Sequence, residues 1–142
     1  SQMLTEAKCR GLKVSLHSGL RTEEQQEKLY ALGRTTVNPD GNSPQKPMGN
    51  IVTKGKAWSS WHNYGLAADI VFKTDSGNWT WNKTDEQWQE LGIIGELFGL
   101  EWGGRWPMKD YPHFQMKGSL KSITEAKELA FKNGIDYLWK MI

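Results

Sequence analysis

The chain has 142 residues, with 18 Lys plus Arg against 16 Asp plus Glu and a formal charge of +2. That length suits one folded domain, and 11% aromatic residues, eight Trp among them, exclude a disordered or low-complexity chain. A charge near zero with no basic stripe argues against nucleic acid as a partner, no apolar run reaches the roughly 20 residues of a membrane span, and the lone Cys9 excludes an internal disulfide.

Residues 5–10 read as a short helix that Gly11 stops, and residues 12–17 alternate apolar and polar side chains as a half-buried strand does. Thr22 with Gln25 three residues on is a capping-box pattern, which predicts a helix carrying Leu29, Tyr30 and Leu32 and ending at Gly33. Residues 34–57 are rich in turn formers, Asn38-Pro39-Asp40-Gly41 and Pro47-Met48-Gly49 among them, and poor in apolar side chains. A stretch of that length is expected either to border a functional cleft or to run as plain surface, with Lys46, Lys54 and Lys56 attracting an acidic peptide or simply facing solvent.

Residues 67–73 predict a central strand whose acid, Asp69, needs a partner or a metal. After a turn at 75–78, Trp79-Thr80-Trp81 reads either as a short edge strand or as an apolar lead-in to the next helix. Thr84 with Gln87 predicts a second capped helix presenting Trp88, Leu91, Ile94 and Leu97 on one face, and Gly92 and Gly95 inside it call for a neighbour that packs closely. A short strand at 111–116, a helix at 122–132 closed by Asn133-Gly134, and a last apolar-faced helical turn at 135–142 complete the chain.

Two segments gather the residues capable of chemistry: Ser60-Trp61-His62-Asn63-Tyr64-Gly65-Leu66-Ala67-Ala68-Asp69, and Asp110-Tyr111-Pro112-His113-Phe114. A catalytic zinc commonly takes two histidines and a carboxylate and keeps its fourth position open. His62, Asp69 and His113 can supply that set if a turn at Tyr64-Gly65 carries His62 back beside the strand of Asp69 and His113 lies on a neighbouring strand. Hydrolysis at such a centre also needs a base for the proton of water and a cation opposite for the charge on the carbonyl oxygen. Asp110, three residues before His113, suits the first role; Arg21, with its planar fork, suits the second.

Each residue alone has a plainer reading: His62 as a hydrogen-bonded surface side chain, Asp69 as a cap, His113 as a half-buried ring, and Arg21 in a salt bridge to Glu23 or Glu24. His17 is expected to be structural or to lie behind the ligands, because a fourth protein ligand would displace the water. Ser60 reads as a hydrogen-bond donor in the cleft. There is no His-Glu-x-x-His helix, phosphate-binding glycine loop, Gly-x-Ser-x-Gly elbow or cysteine pair. A thiol dyad of Cys9 with His17 is disfavoured by the place of Cys9 at a helix end.

Taken together, Ser18-Gly19-Leu20-Arg21-Thr22-x-x-x-Gln26 with Gly33-Arg34, Ser60-x-His62-x-x-Gly65-x-Ala67-x-Asp69, and Glu101-Trp102-Gly103-Gly104-x-Trp106 ahead of Asp110-Tyr111-Pro112-His113-Phe114 resemble one family. It is that of the zinc-dependent D,D-carboxypeptidases and L-alanyl-D-glutamate endopeptidases of bacterial cell walls, which includes VanY-like members. The likeness runs from residue 12 to residue 115 and is greatest to the CwlK-like and phage-endolysin branch.

The resemblance implies an α+β, hedgehog/D,D-peptidase-like fold, with a small antiparallel sheet flanked by helices and the zinc site on the sheet. Residues 1–142 would form one peptidase domain, its N-terminal helix shorter than is usual in the family or truncated, with the 34–57 loop at the cleft border. Zn2+ would be held by His62, Asp69 and His113. Asp110 would be the general base, where the vancomycin-resistance dipeptidases more often have glutamate, and Arg21 would stabilise the carbonyl oxygen. Ser60, Gln26, Tyr64 and Trp106 would bind the substrate, a peptidoglycan stem peptide.

Hydrolysis of the L-alanyl-D-glutamate bond is the leading expectation, ahead of a D-alanyl-D-alanine carboxypeptidase and of a non-catalytic zinc-containing wall-binding module, against which the presence of Asp110 argues. A monomer is expected, and residues 117–142 are too short for a separate wall-binding module. The start Ser1-Gln2-Met3-Leu4-Thr5 lacks the basic-then-apolar pattern of a signal peptide. The expected location is the host cytoplasm and then the periplasm or wall for a phage endolysin, or the wall after export by another route.

Overall fold

A computed structural model describes every residue except Asp40, Asn42, Ser43 and Lys46, and places them in two compact units. Lys46, expected with Lys54 and Lys56 at the cleft border, thus lies outside the described residues.

The first unit comprises Ser1–Leu20, Gly65–Ser119 and Met141–Ile142. It contains helix α1 (Gln2–Cys9), strands β1 (Val14–Ser18), β2 (Ala67–Lys73) and β3 (Trp79–Thr80), helix α3 (Asp85–Leu97), strand β4 (Glu101–Trp102), a 3-10 turn (Gly103–Arg105) and strand β5 (His113–Gln115). The strands form an antiparallel sheet in the order β1-β2-β5-β4, with β3 also paired to β2.

Alternation along β2 divides the sheet into two faces. On one, Val14, Ile70, Phe72, Trp102 and Phe114 pack with Met3 and Ala7 of α1 and with Trp88, Leu91 and Ile94 of α3. Burying each large apolar side chain contributes about 1.5–3 kcal/mol, so this face is what anchors the sheet. The other face receives the alternate residues, Asp69, Val71 and Lys73 of β2 and His113 of β5, with Ser18 and Trp79 paired beside them. The pairing of β1 with β2 slips between Leu16 and Ser18, where a bulge leaves His17 as the extra residue and sets Ser18 opposite Asp69.

Helix α3 begins at a capping box: the Gln87 amide donates to Thr84 Oγ1 at 3.2 Å and the Thr84 amide donates to Gln87 Oε1 at 3.1 Å. Its two glycines explain themselves by what they face. A Cβ on Gly92 would come within 2.3 Å of the Trp102 ring, and one on Gly95 within 2.4 Å of Phe114. The aromatic side chains of β4 and β5 therefore rest on helix backbone. Leu97, expected on the inward face of α3, is the last residue of that helix and is instead 66% exposed. The final strand is also shorter than the 111–116 reading, since Tyr111 and Pro112 form the turn into it.

The second unit comprises Arg21–Tyr64 and Leu120–Lys140. It holds helix α2 (Glu23–Ala31), a 3-10 turn (Trp61–Tyr64), helix α4 (Ile123–Asn133) and all but the end of helix α5 (Ile135–Met141). The predicted capping box at Thr22 is present, with both hydrogen bonds to Gln25. In the 34–57 stretch, Arg34 Nη1 donates to the carbonyls of Tyr30 (2.5 Å) and Thr53 (3.0 Å), and its guanidinium lies 3.8 Å from the Tyr30 ring centre. One guanidinium thus ties the far end of the loop to the end of α2.

The 3-10 turn is clamped by the C-terminal helices. Trp139 Nε1 donates to the Tyr64 carbonyl at 2.7 Å, Tyr64 Oη donates to the Trp58 carbonyl at 2.7 Å, and Phe131 packs edge-on against Trp58 at 5.2 Å. Trp58 is held at φ +65°, a left-handed backbone that a bulky residue adopts only when its surroundings enforce it. Among the described residues, no helix is long and apolar enough to cross a membrane.

Candidate metal centre and active site

The register of β2 with β5 sets Asp69 directly opposite His113, and that of β1 sets Ser18 opposite Asp69. Ser18 Oγ donates to Asp69 Oδ2 at 2.7 Å, which leaves Oδ1 facing His113 Nδ1 at 3.4 Å. A tetrahedral zinc with bonds of about 2.0–2.1 Å separates two of its ligand atoms by roughly 3.3–3.4 Å, so this pair already has the edge length such an ion needs. His62, Asp69 and His113 form a potential metal site: each offers a donor atom, and these atoms lie within 4.8 Å of one another.

His113 is also oriented from behind. Its Nε2 lies 2.8 Å from Gln115 Oε1, which can only accept, so Nε2 carries a proton and the Nδ1 lone pair is left for a metal. His113 is 8% exposed and His62 3%. Burial alone pulls the His113 imidazole down, but the hydrogen bonds to Asp69 and Gln115 and the charges of Asp69 and Asp110 outweigh it and hold its pKa above the ordinary histidine value. A cation is therefore favoured at this spot, whether a proton or a metal ion.

Asp110 stands at the head of the turn into β5. Its carbonyl accepts from the His113 amide at 3.2 Å, and its amide donates to the Gly103 carbonyl at 3.0 Å. A Cβ on Gly103 would meet the Asp110 carbonyl at 2.5 Å, so the second residue of Trp102-Gly103-Gly104 has to be glycine for Asp110 to sit there. Asp110 is exposed and acts on His113 through its charge, outside the set of three donor residues. Trp106, half-buried, has its ring centre 5.1 Å from that of His113 and donates through Nε1 to Glu101 Oε1 at 3.2 Å.

In the second unit, the Arg21 amide donates to the His62 carbonyl at 2.8 Å, and Asn63 Nδ2 donates to the Arg21 carbonyl at 3.0 Å. The backbone of Arg21 is thereby fixed to the turn that bears His62. Arg21 Nη1 donates to Gln26 Oε1 at 2.8 Å, and Gln26 Nε2 donates to the Gly55 carbonyl at 2.6 Å. Ser60 Oγ accepts from the His62 amide at 3.3 Å.

Two expectations need correction. Gln26 and Tyr64, expected to bind substrate, are fully buried, with the polar ends of both spent inside the fold. Gln26 braces Arg21 and the loop at Gly55, and Tyr64 seats the 3-10 turn. His17, expected to be structural or to lie behind the ligands, is the bulge residue, exposed and packed against Trp79 and Trp81 at 4.7 and 5.0 Å between ring centres. Its neighbour Ser18 is the residue behind Asp69. Sequence reasoning missed Ser18 and Gln115; the bulge that aims Ser18 leaves no mark in the residue pattern, whereas Gln115, two residues from His113 on one strand, follows from alternation once β5 is fixed.

Residues 53–116 match the family model described as D-alanyl-D-alanine carboxypeptidase, within peptidase M15. The chain is 36% identical over 117 residues, 75% of its length, to the peptidoglycan L-alanyl-D-glutamate endopeptidase CwlK of Bacillus subtilis, and spans 62% of the length of that relative. Among solved structures, it is similar to the Serratia marcescens L-Ala D-Glu endopeptidase ChiX, at 25% identity over 74% of this chain and 67% of that one, with a TM-score of 0.47. It shares the fold of the vancomycin-resistance D,D-pentapeptidase VanY from a VanB-type cassette, solved with Zn(II), at 18% identity over 97% of this chain and 78% of that one, with a TM-score of 0.52.

Proposed function

We propose that the chain is an M15 peptidase, as the match over residues 53–116 and the likeness to CwlK support, and that residues 1–142 act as one zinc peptidase domain that hydrolyses the L-alanyl-D-glutamate bond of peptidoglycan stem peptides. The observation that carries this reading is the pair of buried His113 and half-buried Asp69, at 3.4 Å, with His62 completing the donor set. Nitrogen and carboxylate donors in that ratio suit zinc.

His62, Asp69 and His113 hold the ion. When bound, zinc supplies a Lewis acid for the scissile carbonyl and makes water easier to deprotonate. Asp110 accepts the proton of the attacking water and returns it to the leaving D-glutamyl amine, a role that asks for a carboxylate beside the ligands but not bound with them. Arg21, with its fork braced by Gln26, orients the carbonyl oxygen and offsets the charge that builds on it. Trp106 and Ser60 border the bound peptide. The place of action is the cell wall, and the protein works as a monomer.

A D-alanyl-D-alanine carboxypeptidase is the second reading, favoured by the description of the matched family. Mass spectrometry of purified peptidoglycan fragments after digestion, with and without chelator, separates the two. A new N-terminal D-glutamate is the expected product; loss of terminal D-alanine alone establishes the alternative, and no cleavage by zinc-loaded protein refutes both.

A further inference from the structure

On the same face of the sheet as Asp69 and His113, the first unit displays an aromatic group that the proposed chemistry does not use. Trp79 and Trp81 are 54% and 48% exposed, and His17 meets both rings at 63° and 69° between planes. Trp79 pairs with Lys73, and Asp69, Val71 and Lys73 alternate onto one face of β2. Val71, fully buried, lies between the acid and the aromatic group as the floor of that face. Exposed indoles cost solubility, and nothing in the packing of the core on the opposite face requires them. Fixed in orientation by His17 and open over about half their surface, they form a platform. The apolar C–H face of a pyranose ring complements the electron-rich face of an indole.

We propose that His17, Trp79 and Trp81 form a subsite for the N-acetylmuramyl sugar to which the stem peptide is attached. This rests on the endopeptidase reading above, and distance favours it. In peptidoglycan the L-alanine nitrogen is acylated by the lactyl ether of the muramyl sugar. The carbonyl cut in the L-alanyl-D-glutamate bond therefore lies about one residue and one ether linkage from the sugar ring, roughly 8–10 Å. A D-alanyl-D-alanine bond lies three residues further away, at roughly 18–20 Å. Along β2, Val71 is about 7 Å and Lys73 about 13 Å from Asp69. The platform thus sits where the sugar of an L-alanyl-D-glutamate substrate falls, and short of where that of a D,D-substrate falls.

The test uses two probes that differ only in the sugar, N-acetylmuramyl-L-alanyl-D-isoglutamine and N-(D-lactyl)-L-alanyl-D-isoglutamine. Indole fluorescence titrations on metal-free protein read binding, and kcat/KM of zinc-loaded protein reads turnover. The sugar-bearing probe is expected to bind about tenfold or more tightly than its counterpart, and Trp79→Ala with Trp81→Ala to reduce that preference to within about twofold. Trp79→Tyr, which keeps a stacking ring, should retain most of it. Unchanged hydrolysis of the sugar-free probe by the alanine variants shows that the fold is intact.

Equal binding of the two probes by wild type, or a preference that survives both alanine substitutions, overturns the subsite. So does sedimentation showing a wild-type dimer that Trp79→Ala converts to monomer, since the face would then be a contact between copies. If the wild type cuts neither probe, the endopeptidase reading fails, while the metal-free titration still decides the subsite.

Discussion

Replacing Ser18 with Ala removes one hydroxyl behind the proposed centre. Ser18 Oγ donates to Asp69 Oδ2 at 2.7 Å in a half-buried setting, a charge-assisted bond of about 1.5–3 kcal/mol. It holds the carboxylate with Oδ1 turned to His113, the orientation the ion requires. Loss of a partner behind a metal ligand typically weakens binding by about 10–100-fold, equivalent to roughly 1.4–2.7 kcal/mol, the range expected from the bond itself. Zinc affinity measured by competition with a chromophoric chelator near pH 7 should drop by that factor in Ser18→Ala. Ser18→Thr, which keeps the hydroxyl and suits a strand, should stay within about threefold of wild type. Thermal unfolding of the metal-free proteins separates affinity from stability, because it reads what the same bond contributes to folding in the absence of the ion. A Ser18→Ala protein that binds zinc within about threefold of wild type would refute the idea that the β1 bulge serves to orient Asp69.

Asp110→Asn should retain one zinc per chain and lose about 10²-fold or more in kcat, with the acidic limb of the pH profile flattened; turnover within about threefold of wild type would remove Asp110 as the base. Gly92→Ala places a methyl 2.3 Å from the Trp102 ring, so overpacking of about 1–3 kcal/mol should outweigh the helix-propensity gain of up to about 1 kcal/mol and lower Tm by several degrees. Ile93→Ala, at the exposed neighbouring position, should change Tm little, and equal Tm shifts in the two variants would contradict the packing argument. Burial pushes the Tyr64 phenol up to about 12 from its ordinary 10, so its contribution to stability is intact below pH 10 and is lost as pH rises through about 12. Urea unfolding at stepped alkaline pH should show that loss in wild type and a shallower one in Tyr64→Phe; parallel curves would exclude Tyr64 as the cause.

Much of the fold is written locally. The capping boxes at Thr22 and Thr84, the apolar run of β2 and the glycines of α3 each announce an element or a close approach within a few residues, and each has the predicted counterpart in the structure. The candidate donor residues were legible by type, because two histidines and a carboxylate are a set that a catalytic zinc commonly takes. Legibility ends where a side chain's role depends on register. A bulge of one residue decides whether His17 or Ser18 faces Asp69, and hydrophobic alternation gives both the same standing. Gln26 and Tyr64 misled in the opposite sense: a polar side chain in a motif reads as a contact to substrate, until the Gly55 and Trp58 carbonyls are found to occupy it.

The support given to the Trp61–Tyr64 turn by Trp139 and Phe131 bears on how such a catalytic part travels between proteins. The family match ends at residue 116, yet the indole that holds the Tyr64 carbonyl lies 23 residues beyond it. A graft cut at the edges of the match would carry His62, Asp69, Asp110 and His113 but leave behind the splint on the first of them, together with Ser18 and Arg21. The smallest transferable piece is therefore larger than its recognisable signature. A chimera joined after Met141 should preserve the turn, whereas one joined just after Gln115 would free Trp58 to relax from its left-handed backbone and let the loop that ends in His62 drift.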